Sequence, residues 1–195
     1  MLYLVSTVFI VYLGFEVSAS KLTPETWNTL FWIILLFTAV NAVAKSFMME
    51  SEGRLIYLYQ TASAQSIIVS KQLYNTGLML LLGLLGFLVF SLVFGNLVGN
   101  VPLFLLDIML ASAGFSLALT LLSGIASKAG NNVTLMAVLS FPVILPILLL
   151  VINIAKLALL GASFDSAQKD LLVLLSVDAI LGAVSYVLFP YLWRS

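Results

Sequence analysis

The feature that most constrains this chain is a succession of apolar runs, most of them about twenty residues or longer, separated by short polar breaks. A helix needs roughly 20 predominantly apolar residues to cross a hydrocarbon core of about 30 Å. The runs are continuously apolar, which excludes a β-barrel, because barrel strands alternate with a period of two residues. Charged residues make up 8% of the chain, against about 25% in soluble domains. The sequence therefore predicts an all-α, polytopic membrane protein.

The polar breaks divide the chain into six candidate spans that form one transmembrane domain over residues 1–195. Pro24 lies in the first break, and Pro102 stands in a favourable first-turn position at the start of the fourth span. The predicted spans cover residues 2–17, 28–48, 67–94, 102–125, 133–160 and 171–193, with an interfacial helix over residues 53–66.

Lysine and arginine near the span ends predict the orientation, because cytoplasmic loops carry an excess of both. With a cytoplasmic N-terminus, five of these residues lie inside and three lie outside. The bias predicts that both termini and the break after Met49 face the cytoplasm. The inside set is Lys45, Arg54, Lys71, Lys128 and Arg194, and the outside set is Lys21, Lys156 and Lys169.

The longest polar break contains the stretch ESEGRLIYLYQ, which has helical periodicity. On a helix that begins near Gly53, the side chains of Leu55, Leu58 and Tyr59 fall on one side. Glu52 precedes this helix, where a carboxylate is favourable. The segment is too short and too polar to cross a bilayer, so it should lie at the interface. Two interpretations stay open: a helix that only rests on lipid, or a coupling helix that fits a groove on a cytosolic partner.

Three carboxylates, those of Glu16, Asp107 and Asp178, lie within or at the ends of apolar runs. Ionisable groups at membrane depth are costly and usually mark function. We expect all three toward the non-cytoplasmic half, lining a shared outward-facing cavity. The alternative is that each reaches interfacial water or pairs with a neighbour such as Lys169.

The fifth span carries Pro142 and Pro146, which lie four residues apart and therefore on one face of a helix. Each proline removes a backbone hydrogen bond, and a membrane helix tolerates this where neighbours or water satisfy the freed carbonyl. The pair predicts either a movable, kinked helix that lines a path or a static kink.

Small and aromatic residues have simpler interpretations. The small residues indicate close helix packing, and Asn153 is expected to bond across to a neighbouring helix. The aromatic residues near span ends indicate an interfacial belt, with a haem- or ring-stacking role as an alternative for Trp27 and Trp32. The small set is Gly83, Gly86, Ala111, Gly114 and Ser123, and the aromatic set is Tyr3, Trp27, Trp32, Tyr186, Tyr191 and Trp193.

The sequence has no histidine and no cysteine. This removes Ser/His/Asp catalysis, thiolate metal sites and the usual haem ligands. There is also no G-x-x-x-x-G-K-[ST] phosphate loop and no basic patch large enough for nucleic acid. We therefore predict no catalytic residues, no metal site and no cofactor bound by this chain, with any chemistry belonging to a partner.

Two stretches resemble the haem exporter protein B family (CcmB). ESEGRLIYLYQTASAQSIIVSKQLYN, residues 50–75, resembles the family's segment after the second span, where an acidic residue and a glycine precede a helix and a lysine opens the third span. SGIASKAGNNVTLMAVLSFPVILPILLLVINIAK, residues 123–156, resembles the family's loop between spans four and five with the paired prolines that follow. The resemblance covers most of the chain, residues 30–160 most clearly.

The resemblance implies an ABC-2-type permease subunit of an ABC transporter complex for haem export or delivery in c-type cytochrome biogenesis, in the bacterial inner membrane. A separate ATP-binding subunit would hydrolyse ATP, and haem is the expected cargo. The other implied partners are a haem-handling membrane protein, a periplasmic haem chaperone and the lipid bilayer, with a homodimer as a further expectation. The family normally begins with a basic amphipathic segment, whereas the first apolar run here starts at Leu2, so we expect either a longer chain or a version without that interfacial helix.

Site residues are carried over by position. The implied ATPase-coupling element comprises Glu52, Gly53, Leu55, Leu58 and Lys71, with Tyr59 on the same predicted face. Pro142 and Pro146 would shape the helix behind a central path that Asp107 and Asp178 are candidates to line.

Two other functions stay open. An export permease for a lipid, a polysaccharide or a drug would keep the same architecture. A membrane-embedded enzyme or channel that works alone would be active without an ATPase, and the missing histidine argues against it.

Overall fold

The computed structural model describes residues 2–18, 22–43, 47, 62–129 and 133–194, and the elements within these ranges are α-helices, as the sequence predicts. Helix α6 begins at Phe164 rather than at the predicted residue 171. The polar stretch there reads as a loop, but Asp165 occupies the first helical turn, where a carboxylate is favourable. The helices are α1 (Leu2–Ser18), α2 (Pro24–Val43), α3 (Ala64–Phe94), α4 (Val101–Lys128), α5 (Val133–Leu159) and α6 (Phe164–Arg194).

Five of these helices, α2 to α6, are long and apolar enough to cross a membrane, whereas α1 is shorter. Large apolar side chains cover the outer surface of the bundle, for example Leu92 on α3, Phe141 on α5 and Tyr191 on α6. Water would penalise so much exposed apolar surface, and lipid would not. The chain is therefore a multi-pass membrane protein, and the sixth span stays a prediction.

Helix α4 is the most extensively buried of the described spans and packs against α2, α3, α5 and α6. Its start is held by Asn100, whose Oδ1 accepts from the Leu103 amide at 3.2 Å and whose Nδ2 donates to the Ala162 carbonyl at 2.8 Å. A Cβ atom on Gly99 would lie 2.9 Å from the Gly161 Cα, so the two connections touch through glycine backbone. Gly161 itself has φ of 71°, which glycine adopts without strain.

An aromatic cluster fills the space between α2, α3 and α4, and it corrects the prediction for two tryptophans. Trp27 and Trp32 are completely buried, so they do not belong to an interfacial belt. The Trp27 ring stacks on Phe31 with centroids 5.7 Å apart, and Phe104 lies 5.8 Å from Trp27. Phenylalanines of α3 and α4 surround the Trp27 indole, and Phe104 of α4 contacts the Trp32 indole, which positions near a span end do not reveal. The members of this aromatic cluster are Trp27, Phe31, Trp32, Phe87, Phe90 and Phe104.

Candidate functional site

Two carboxyl groups lie inside the helix bundle without a hydrogen-bond partner among the described residues. Asp107 on α4 is completely buried and Asp178 on α6 is 6% exposed. Within the described ranges, none of their four carboxyl oxygens has a hydrogen-bond partner. For these two groups, the alternative of reaching interfacial water or pairing with a neighbour such as Lys169 is therefore wrong within the described ranges. Buried polar groups without partners are costly and rare, so the two groups call for a functional explanation.

Asp178 occupies a space that exists because residue 114 has no side chain. A Cβ atom on Gly114 of α4 would lie 2.5 Å from the Asp178 Oδ1 and 3.3 Å from the Ile147 Cγ2 on α5. Three helices therefore meet around this carboxyl group. Since α6 begins at Phe164, Asp178 lies about 21 Å along the helix at 1.5 Å per residue, near its middle. The prediction of about two turns from the non-cytoplasmic end is thus too shallow.

Asp107 lies on the same side of α4 as Gly114, because seven residues make almost two full turns. The separation along the helix is about 10 Å. Asp178 of α6 sits against Gly114, so one side of α4 carries Asp107 and, two turns further along, contacts the Asp178 carboxyl group. No group of three His, Cys, Asp or Glu side chains that could hold a metal ion occurs among the described residues. The arrangement offers two separate acceptor groups in apolar surroundings.

Three polar groups of α2 are also buried: those of the two indoles, which pack against α4, and that of Asn28, which bonds to α5. The indole Nε1 atoms of Trp27 and Trp32 and the Oδ1 of Asn28 are buried and lack partners in the described part of the chain. The Phe104 ring lies 6.3 Å from the Trp32 ring, and Asp107 follows Phe104 by less than one helical turn. Both indole rings therefore contact Phe104, which lies on the same helix as Asp107 and less than one turn before it. The i, i+4 spacing of Asn28 with Trp32 is the signal in the sequence that could have indicated a shared inward face.

The structure does not bring the other predicted path residues to this site. Glu16 is exposed on α1 and accepts a hydrogen bond from the Tyr12 hydroxyl at 2.9 Å, so the shared cavity of three carboxylates is wrong. Pro142 and Pro146 lie within a continuous α5, on its exposed face. The expectation for Asn153 is confirmed, since its Nδ2 donates to an Asp170 carboxyl oxygen on α6.

The predicted coupling residues Glu52, Gly53, Leu55, Leu58 and Tyr59 lie outside the described residues. Lys71 is described, and its ammonium group lies 4.5 Å from the centroid of the Phe47 ring. The Phe47 ring is 5.1 Å from the Phe189 ring of α6, and the Phe47 amide donates to the Ser123 hydroxyl of α4 at 3.0 Å. We name Phe47, Ile67, Ile68 and Phe189, which form one buried cluster, the anchor cluster.

Comparison of the chain with protein-family models, with curated proteins and with solved structures gives no match.

Proposed function

We propose that this chain is the membrane permease subunit of an ABC transporter complex for haem export or delivery in c-type cytochrome biogenesis, and that it couples ATP hydrolysis by a separate subunit to a change in its own helices. The resemblance to the haem exporter protein B family supplies the cargo and the partners. The helical architecture and the anchor cluster support the coupling.

The anchor cluster is the observation that carries the proposal. In the sequence, Phe47 precedes the predicted coupling helix and Ile67 follows it, so the cluster joins described residues from both sides of that helix. The cluster rests on α4 through Ser123 and on α6 through Phe189. These two helices carry Asp107 and Asp178. A displacement of the segment by an ATPase would therefore be transmitted to the helices that hold the buried carboxyl groups.

The aromatic cluster suits the proposed cargo. Haem is a flat aromatic macrocycle with acidic side groups, and aromatic faces pack favourably on one another. The unpartnered indole N–H groups of Trp27 and Trp32 are donors for such acidic groups. Because the cluster is closed in this structure, haem would enter only after α2 and α4 separate, which is the kind of movement that ATP hydrolysis would drive.

Replacing Leu58 with aspartate is expected to weaken association with the ATP-binding subunit by tenfold or more. The substitution adds a charge to the predicted docking face, and binding would remove this charge from water at a cost of about 1.5 kcal/mol or above. Co-purification from detergent-solubilised membranes measures this. Gln60→Asp adds the same charge on another side of the predicted helix and should leave association intact. Failure of the unaltered chain to co-purify would count against an ABC subunit, and equal binding by Leu58→Asp would remove this helix from the coupling role.

Replacing Phe189 with alanine is expected to leave the ATP-binding subunit bound but to remove most of the haem-stimulated ATPase activity, because the anchor cluster no longer joins the coupling segment to α6. The measurement is ATPase turnover of the purified complex in liposomes, with and without haem. Phe141→Ala makes the same chemical change at an exposed position of α5 and should retain stimulation. Unchanged stimulation in Phe189→Ala would refute transmission through the cluster, and stimulation by a lipid or a polysaccharide instead of haem would identify a different cargo.

A further inference from the structure

A cleft of about 100 Å³ lies where the start of α2 meets the end of α5. This is well above the roughly 10–15 Å³ that one water molecule needs. Its walls are formed by the start of α2, the end of α5 and the connection that follows α5. They combine apolar and polar side chains. The lining residues are Pro24, Glu25, Asn28, Thr29, Ile152, Lys156, Leu159 and Leu160.

Asn28 joins the two walls of the cleft. Its side chain is 3% exposed, and its Nδ2 donates to the Ile152 carbonyl of α5 at 2.9 Å. The other atom of the same amide, Oδ1, is buried and accepts no hydrogen bond in the described part of the chain, so it lies behind the wall of the cleft. The groups that a ligand in the cleft can reach directly are therefore the charged side chains at its outer end.

Opposite charges flank Asn28 at the outer end of the cleft. Glu25 precedes Asn28 by three residues on α2, and Lys156 follows Ile152 by one turn on α5, so each lies on the face of its helix that borders the cleft. Both side chains are exposed. Lys156 is within one turn of the end of α5, and Glu25 is in the first turn of α2. If both helices span the bilayer, this end lies at the level of the lipid headgroups.

We propose that the cleft binds the headgroup of a phospholipid that carries a primary ammonium group. The ammonium group donates to the Glu25 carboxylate, and the Lys156 ammonium group binds the phosphate. The acyl chains leave past Leu159 and Leu160 toward the apolar surface of the bundle. The lipid would join α2 to α5 and is independent of which cargo the protein moves.

The test compares retention of three phospholipids with identical acyl chains by the full-length chain, using native mass spectrometry from detergent. Phosphatidylethanolamine should be retained about tenfold more than phosphatidylcholine, because the trimethylammonium group has no N–H to donate. The loss of one hydrogen bond to a charged group lowers affinity by about tenfold. Phosphatidylglycerol, which lacks the ammonium group, should resemble phosphatidylcholine. Glu25→Gln and Lys156→Gln should each lower phosphatidylethanolamine retention by about tenfold.

Glu16→Gln and Lys169→Gln remove the same two charges at exposed positions outside the cleft and should not change retention. Because Glu25 and Lys156 are exposed, their glutamine variants should fold normally, which the helical circular-dichroism signal checks. Equal retention of phosphatidylethanolamine and phosphatidylcholine would overturn the proposal, as would indifference to both cleft variants. If soluble glycerophosphoethanolamine is retained as well as the phospholipid, the assignment of the cleft to a phospholipid is overturned.

Discussion

Replacing Gly114 with alanine is expected to lower the free energy of unfolding by about 1–3 kcal/mol, the usual penalty for overpacking a closed core. The added methyl group would stand 2.5 Å from the Asp178 Oδ1 and 3.3 Å from the Ile147 Cγ2. Neither neighbour can withdraw freely, because both lie in the buried contact between helices. The loss would appear even though alanine ordinarily favours a helix over glycine by roughly 0.8–1.0 kcal/mol.

The measurement is unfolding of the purified chain in mixed micelles with increasing SDS. Gly77→Ala is the matched control, because a Cβ atom on Gly77 of α3 meets no heavy atom within 4 Å. That control should be neutral or more stable. In an Asp178→Ala background, Gly114→Ala should lose much less, with a coupling energy of about 0.5–3 kcal/mol. An equal loss in both backgrounds would contradict the assignment of this space to the Asp178 carboxyl group.

Replacing Asp107 or Asp178 with asparagine is expected to abolish cytochrome c maturation without destabilising the chain. Neither carboxyl group holds the described structure together by a hydrogen bond, so its charge can be removed without breaking a contact. Replacing Asp107 with leucine should even raise the free energy of unfolding by about 1–3 kcal/mol, since it removes a buried polar group that has no partner. Loss of function with equal or greater stability is the signature of a group retained for function.

Two measurements are needed on the same variants: covalently attached haem in c-type cytochromes, in a strain that depends on this chain, and unfolding in mixed micelles. Asp165→Asn serves as control, because Asp165 is an exposed carboxylate in the first turn of α6. Normal maturation in both Asp107→Asn and Asp178→Asn would mean that the carboxyl groups take no part in the proposed transport. A large loss of stability would instead assign them a structural role.

The helical class and the approximate helix positions follow from the sequence because they depend on local properties. Continuous apolar runs require helices, and polar or proline-containing breaks separate them. The predicted fourth span over residues 102–125 lies within α4, Val101–Lys128. The start of α6 was missed by seven residues because polar residues in a first turn resemble a loop when only hydropathy is considered.

The environments of individual side chains were harder to predict. Trp27 lies near a span end, as belt residues do, yet three phenylalanines from α3 and α4 bury it. The small size of Gly114 indicated close packing correctly, but not that its partner is a carboxyl group. Pro142 and Pro146 are predicted candidates to line a path, whereas they lie on the exposed face of α5. For Trp27 and Gly114, the deciding contact joins residues far apart in the chain.

The sequence by itself determined that this is a multi-pass helical protein with rare acidic residues inside its apolar runs, because hydropathy and the length of a span are properties of consecutive residues. Only the tertiary structure decided that Asp107 and Asp178 lie two turns apart along one side of α4, and that Phe47 and Phe189 lie in one cluster at its far end. The physical reason is that periodicity gives each helix an inward face but does not say which neighbour that face will meet. Close packing between particular helices settles this, and it depends on pairs such as Gly114 with Asp178 that no local pattern reveals.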